Sequence, residues 1–187
     1  GNVYSGYVAK KMGLPIDKLI IGTNKNDVLS TFTNKGFIKL KNVKQTISPS
    51  MDIQLPSNLE RYMYDLFSKN NDLVKIKLNE LNKNKKVFID KNKIKEIQNY
   101  FKSSKVSEKD TLKTIKVFFN KYDIILDPHT AIGIAADKDK KLSNRSVVYI
   151  STAHPSKFSE TIKKVIKRKV NLPKKNKDLL KFKENYK

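Results

Sequence analysis

Two polar residues stand at the ends of predicted elements, where a ligand could bind. Asn2 precedes a predicted helix over 3–12, and the free N–H groups and the dipole of a helix N-terminus favour a phosphate. Thr152 directly follows a predicted strand over 146–151, and in doubly wound sheets ligands bind outside the carboxyl ends of the strands. Either side chain could contact a bound anion or cofactor, and either could equally be a cap or an ordinary loop residue.

The two histidines do not indicate a metal site. His129 and His154 are far apart in sequence, each stands beside a proline at a predicted helix start, and neither has a partner ligand four residues further on. Their ordinary interpretation is structural. The chain has no cysteine, which excludes a disulfide framework, a thiolate zinc site and a cysteine nucleophile. No carboxylate pair or Ser-His-Asp arrangement stands out, so we expect no metal.

The first part of the chain alternates between helix and strand. The predicted helix over 3–12 ends at Gly13, a residue typical of helix C-termini. The apolar run KLIIGT at 18–23 is typical of a buried strand in a parallel sheet. Asp27 can then cap a helix that Gly36 closes. This order predicts an α/β protein.

Capping patterns mark two later helices. Ser57 and Glu60 match a capping box, and Asp127 followed by Pro128 matches an N-cap with proline at the first helical position. The stretch 69–105 is rich in Lys and Asn and predicts weak surface helices. The remaining predictions are a mostly irregular segment at 37–56, a helix that begins near 107, the strand over 146–151 and a helix that begins at 155.

Lysine supplies almost all of the positive charge. The formal net charge is +22, from 40 basic and 18 acidic residues, and only three of the basic residues are arginine. Proteins that read DNA bases or bind phosphate groups favour arginine, because its planar guanidinium can make two parallel hydrogen bonds. The excess of lysine therefore indicates a compositional bias. A basic nucleic-acid-binding module is the alternative. The length of 187 residues fits one domain, and no apolar run approaches the ~18 residues of a membrane span.

Six motifs stand out along the chain, namely GNVYSGYVAKKMGLP (1–15), GTNKNDVLS (22–30), SPSMDIQ (48–54), SNLER (57–61), DPHTAIGIAA (127–136) and STAHPSKF (151–158). Together and in this order, they resemble the C-terminal part of the threonine synthase family, in its microbial and fungal form. DPHTA together with TAHPxKF is the most specific part of the resemblance. The similarity runs from residue 1 to about 169 and is weakest over 69–105, while 170–187 forms a basic tail.

The resemblance implies a fold and a reaction. The family has the tryptophan-synthase-β-like fold (fold type II), three α/β/α layers around parallel strands, of which this chain would be a part. Its members are lyases that depend on pyridoxal 5'-phosphate (PLP). They convert O-phospho-L-homoserine and water to L-threonine and phosphate by γ-elimination and β-addition, the last step of threonine biosynthesis. The cofactor serves as the electron sink, and the protein supplies orientation and electrostatics.

The resemblance also implies cofactor-binding residues. Gly1 and Asn2 match the last two positions of the family's phosphate loop G-N-F-G-[ND]. Thr152 matches the hydroxyl that bonds the pyridine nitrogen, and a neutral hydroxyl there does not force that nitrogen to be protonated. The resemblance implies that Asp127, His129 and Thr130 shape the cofactor pocket and take no part in acid–base chemistry. The spacing of these residues does not by itself predict a role in the pocket.

Three residues are candidates for substrate binding. Ser57, Asn58 and Arg61 would contact the substrate phosphate or carboxylate, since arginine suits bidentate binding of oxyanions. The competing interpretation is that Ser57 belongs to the capping box and Arg61 is only a surface charge.

One departure from the family concerns catalysis. The Schiff-base lysine, expected upstream in a motif resembling F-K-D, has no match here, so we assign no catalytic lysine and expect the chain to be inactive alone. Ser5 stands where the family usually has alanine. We expect a cytoplasmic monomer or homodimer that binds neither nucleic acid nor membranes. A related PLP-dependent phospho-lyase or dehydratase is the other alternative.

Overall fold

The structure, a computed structural model, describes residues 1–137, 146–178 and 181–184. These contain eight α-helices, four strands and three short 3₁₀ turns, at Pro49–Met51, Pro155–Phe158 and Lys174–Asn176. The helices are α1 (Asn2–Lys11), α2 (Val28–Lys35), α3 (Ser57–Leu66), α4 (Asn71–Asn84), α5 (Lys91–Tyr100), α6 (Glu108–Tyr122), α7 (Pro128–Ala136) and α8 (Ser159–Ile166). The strands are β1 (Leu19–Thr23), β2 (Phe37–Lys39), β3 (Lys86–Phe88) and β4 (Phe101–Lys105).

A parallel pair of strands lies at the centre of the fold. β1 pairs with β4 in a register that runs from Leu19 opposite Phe101 to Thr23 opposite Lys105. Successive side chains of a strand point to opposite faces, so Leu19 and Gly22 of β1 face opposite ways. A Cβ added to Gly6 of α1 would meet the Leu19 side chain, and one added to Gly22 would meet Ile132 of α7. Helices therefore cover both faces of β1, which confirms the predicted α/β class with parallel strands.

The Lys/Asn-rich stretch at 69–105 contributes to the core, contrary to the expectation of weak surface helices. It contains α4 and α5 but also β3 and β4, and Leu81, Val87 and Ile97 in it are fully buried. β3 pairs with β2 in an antiparallel ribbon. The strands escaped prediction because KVF is only three residues long, FKSSK is mostly polar, and their pairing partners lie far away in sequence.

The predicted strand over 146–151 is not formed. Residues 146–151 adopt no regular structure, and Val148 and Ile150 are 81% and 60% exposed. A strand needs a neighbour to satisfy its backbone N–H and C=O groups, and among the described residues none pairs with this segment. Within the described part of the chain, no helix has the length and hydropathy to cross a membrane.

Candidate functional site

Asp127 caps helix α7 as the sequence predicted. Its Oδ1 accepts hydrogen bonds from the backbone N–H groups of His129 (2.9 Å) and Thr130 (3.4 Å), and Pro128 occupies the first helical position. The residue is only 2% exposed. The cap thus fixes a carboxylate in the interior, at the start of the helix that packs on β1.

His129 joins this cap to a distant turn. Its Nδ1 lies 2.9 Å from Asp127 Oδ1, and its Nε2 lies 3.2 Å from the backbone nitrogen of Ser50 in the Pro49–Met51 turn. Since the Ser50 N–H can only donate, Nε2 is the acceptor and the imidazole proton is on Nδ1, where it is donated to Asp127. His129 is therefore neutral in this arrangement. Its ring also packs against that of Phe158, with centroids 4.8 Å apart.

This geometry supports a structural histidine. The described residues contain no group of three or more His, Asp or Glu side chains that could hold a metal ion.

Thr130 connects the cap to Thr152. The Thr130 hydroxyl donates a short hydrogen bond to Asp127 Oδ2, and its oxygen accepts the backbone N–H of Thr152 at 3.3 Å. Thr152 itself is exposed. The backbone at Thr152, predicted to follow a strand, is thus held from α7.

The Asp127 carboxyl group remains ionised in spite of its burial. Burial by itself raises the pKa of Asp127, but the hydrogen bonds donated by His129 and Thr130 outweigh that effect and hold the pKa below its ordinary value. A charged Asp127 is the acceptor that this cluster requires. Its surroundings suit a fixed structural anion better than a group that gains and loses protons during a reaction.

A second polar cluster supports the turn that carries Ser50. Asn24 Nδ2 donates to Asp52 Oδ1 (2.7 Å) and to Ser48 Oγ (2.9 Å), and Thr46 donates to both oxygens of Asp52 through its backbone and its hydroxyl, each at 2.8 Å. Asn24 and Ser48 are 2% and 0% exposed. Asn24, Ser48 and Asp52 lie in the motifs at 22–30 and 48–54, but the sequence alone predicted no role for these residues.

Gly1 and Asn2 lie exposed at the start of α1, with Gly1 as the N-cap. The Gly1 carbonyl accepts the Ser5 N–H at 3.0 Å. Within the described residues, no side chain caps this helix, and its first turn carries no acidic residue. The N–H groups of the first turn are therefore available to an anion.

The capping-box prediction at Ser57 is wrong. Helix α3 begins at Ser57 itself, Pro56 is the N-cap, and no side-chain cap forms there. The reason is local geometry: the extended conformation that a capping residue needs is taken by Pro56, so Ser57 already has helical backbone. The Ser57 hydroxyl is free of that role.

Ser57 and Arg61 instead line a groove beside α1. The Asn58 Oδ1 accepts a hydrogen bond from Arg61 Nη1 at 2.9 Å, which orients the guanidinium. The described residues that line the groove are Tyr4, Ser57, Glu60, Arg61, Tyr64, Asn71 and Val74.

The predicted residues thus fall into two groups. The substrate candidates Ser57 and Arg61 share their groove with Tyr4, which lies two positions after Asn2 on α1. Thr152 lies against α7 through Thr130, and it is not among the described residues that line the groove.

Comparisons with known proteins point to a single family. The family model described as threonine synthase, C-terminal, matches residues 130–187. Threonine synthase from Saccharomyces cerevisiae is 39% identical over 180 residues, which cover 87% of this chain. That from Pseudomonas aeruginosa is 36% identical over 165 residues, which cover 88% of it. The chain spans 35% of the length of each of these two relatives.

A solved structure gives the same result for the fold. The crystal structure of PLP-bound threonine synthase from Brucella melitensis superposes with a TM-score of 0.89 and 33% identity, and the match covers 99% of this chain and 40% of that one.

Proposed function

We infer that this chain belongs to the threonine synthase family, corresponds to the C-terminal part of its members, and serves in the conversion of O-phospho-L-homoserine and water to L-threonine and phosphate. The observation that carries this proposal is the structural match to a threonine synthase over 99% of the chain. The agreement with curated threonine synthases over nearly nine tenths of the chain supports it further.

The cofactor of this reaction would be pyridoxal 5'-phosphate, which supplies an electron sink for carbanions when bound. The residues present fit it. The uncapped N-terminus of α1 offers N–H donors and a favourable dipole to a phosphate. We assign Gly1 and Asn2 to the phosphate and the Thr152 hydroxyl to the pyridine nitrogen.

Substrate binding is assigned to Ser57, Asn58 and Arg61. Arg61 carries five N–H donors, and its bond to Asn58 uses Nη1. Arg61 lines a groove that Ser57 also lines, and a guanidinium in this position can bind a phosphate or a carboxylate through two parallel hydrogen bonds. The hydrogen bond to Asn58 holds the Arg61 guanidinium in place.

The chain's own residues bind and orient more than they transfer protons. A neutral hydroxyl at Thr152 can donate or accept toward the pyridine nitrogen and places no charge beside it. Both ring nitrogens of His129 are engaged in hydrogen bonds, so it is unsuited to act as a general base. We assign no lysine of this chain to the Schiff base, and we expect activity only where another segment supplies one.

The finer features of the protein follow from this proposal. We propose a cytoplasmic enzyme, a monomer or homodimer, that takes a small phosphorylated substrate and binds neither nucleic acid nor a membrane surface. The shortage of arginine among the 40 basic residues supports this assignment.

The test is the product formed by the full-length gene product loaded with the cofactor. We expect L-threonine and phosphate in equal amounts from O-phospho-L-homoserine, measured by chromatography and a phosphate assay. The 187-residue chain alone, as the control, should give neither. Release of phosphate with 2-oxobutyrate in place of threonine would overturn the proposal in favour of a phospho-lyase.

A further inference from the structure

We propose that Asp127 and Thr130 are positioning residues, which hold the Thr152 hydroxyl at the place where it meets the cofactor ring. The inference rests on the proposed function, because that function gives Thr152 its contact with the pyridine nitrogen. It goes further by identifying what fixes Thr152 in a segment that has no other regular structure.

The first step is the connection itself. The Thr152 N–H donates to the Thr130 hydroxyl oxygen, and the Thr130 hydroxyl donates in turn to Asp127 Oδ2. A hydroxyl that gives its only proton to a carboxylate must present a lone pair to its other neighbour. The ionised carboxylate thereby determines that the Thr130 oxygen accepts its second hydrogen bond, and the Thr152 N–H is the donor that supplies it.

The second step is the rigidity of the anchor. Thr130 and Asp127 are 6% and 2% exposed and belong to the first turn of α7 and its cap. The other carboxylate oxygen of Asp127 is held by His129, whose Nε2 is held by the Ser50 N–H. The chain of hydrogen bonds therefore runs from the turn at 49–51 through the start of α7 to Thr152.

Unlike the start of α7, the segment that leads to Thr152 has no regular structure. Residues 146–151 are exposed and irregular, and a hydroxyl at the end of such a segment has no fixed place unless its backbone is tied. The hydrogen bond to Thr130 is the tie that the structure gives for the Thr152 N–H. A bond to a cofactor nitrogen needs a hydroxyl held within a few tenths of an ångström, so Thr130 acts on the reaction through Thr152 without touching the cofactor.

The experiment compares Thr130→Val, which keeps the shape and removes the hydroxyl, with Thr130→Ser, which keeps the hydroxyl. The cofactor-free full-length protein is examined by hydrogen exchange with mass spectrometry. The Thr152 amide should exchange about tenfold faster in T130V, as expected for the loss of one hydrogen bond, and at the wild-type rate in T130S. Thr114→Val is the matched control, since the Thr114 hydroxyl bonds a backbone carbonyl within α6.

A second measurement uses the cofactor-loaded full-length protein. We expect T130V to lower kcat about tenfold with KM within twofold of wild type, and to shift the cofactor absorbance in the direction that Thr152→Val shifts it. T130S and T114V should match wild type. If T130V folds poorly, Thr130→Cys, with its weak donor and acceptor, should show the same changes to a smaller degree.

The two hypotheses fail in different ways. A wild-type protein that neither holds the cofactor nor forms threonine overturns the proposed function. A normal wild type, an altered T152V, and a T130V with unchanged amide exchange and absorbance overturn the positioning role alone. Equal losses in T130V and T130S would also overturn it, because the hydroxyl would then not be the group that matters.

Discussion

The Asp127 carboxylate is buried, yet both of its oxygens accept hydrogen bonds from residues of the helix that it caps. Two of the donors are backbone N–H groups and two are the side chains of His129 and Thr130. A carboxylate with this set of donors is stable as an anion and poor as a base. The residue therefore acts as a fixed negative centre that determines the roles of its neighbours.

This assignment makes a pH-dependent prediction for Asp127→Asn. The pKa of Asp127 is lowered in the folded chain, so its charge contributes stability at pH values above the unfolded value of about 4, and that contribution is lost as the pH falls through the lower folded value. At pH 7 we expect D127N to lower the free energy of unfolding by about 1–3 kcal/mol.

Urea unfolding at pH 7 and at a series of lower pH values measures this effect. The difference between wild type and D127N should narrow progressively below about pH 4. Asp123→Asn serves as the control, because Asp123 lies on the surface at the end of α6. A difference that stays constant across the whole series would show that the charge of Asp127 contributes nothing.

At the scale of elements, β1 and α7 approach each other closely at Gly22. A Cβ added to Gly22 would lie 2.8 Å from the backbone oxygen of Ile132 and 2.9 Å from its Cγ2. Helix α7 carries Asp127, His129 and Thr130, so the contact with β1 sets the height of the whole cluster above the sheet. A glycine is required at position 22 because a backbone oxygen cannot move aside as a flexible side chain can.

Gly22→Ala should therefore destabilise the protein. The added methyl must push α7 away from β1, and we expect a loss of about 1–3 kcal/mol, as for other overpacked cores. Gly133→Ala on α7 is the matched control: its Cβ would meet nothing within 4 Å, and alanine in a helix interior should stabilise by about 0.5–1 kcal/mol. Thermal unfolding of both variants checks the prediction, and a neutral G22A would contradict the close packing described here.

Local patterns predicted elements well where the stabilising contacts are local. The Asp127–Pro128 start of α7 and the start of α6 near 107 were predicted correctly, because a helix cap is made within four residues. β4 was missed because FKSSK has one apolar residue and its partner strand begins 82 positions earlier. The error at 146–151 is the opposite one, since a strand was predicted there and is not formed. Strand propensity alone does not supply a neighbouring strand to pair with.

The candidate site shows the same division. Thr152 and Asn2 attracted attention from their places at element ends, and the resemblance supplied their roles. The bond between Thr130 and the Thr152 N–H spans 22 positions and the bond between Ser50 and His129 spans 79. No hydrophobic periodicity or capping pattern in the sequence encodes hydrogen bonds between residues so far apart. The way these motifs contact one another is therefore seen only in the structure.

At the scale of the whole molecule, the dominant feature is a net charge of +22. Ion pairs such as Lys25–Glu108 and Lys41–Asp27 lie at the surface and are worth little each. Most of the lysines therefore contribute a general positive field. Such a field can draw anions toward the protein without binding any of them specifically, and the proposed cofactor and substrate both carry phosphate.

Replacing the tail lysines Lys175, Lys177 and Lys183 with glutamine should distinguish the general electrostatic effect of the lysines from specific binding at the substrate site. These side chains are exposed, and their charge would act only at long range, so we expect kcat of the full-length enzyme to stay within about twofold and kcat/KM to fall only slightly at low salt. Arg61→Gln, which removes a guanidinium from the groove, should instead raise KM for the phosphorylated substrate at least tenfold, at low and at physiological salt. A large loss of kcat in the tail variant would show that these lysines take part in the reaction, and an unchanged KM in R61Q would remove Arg61 from the substrate site.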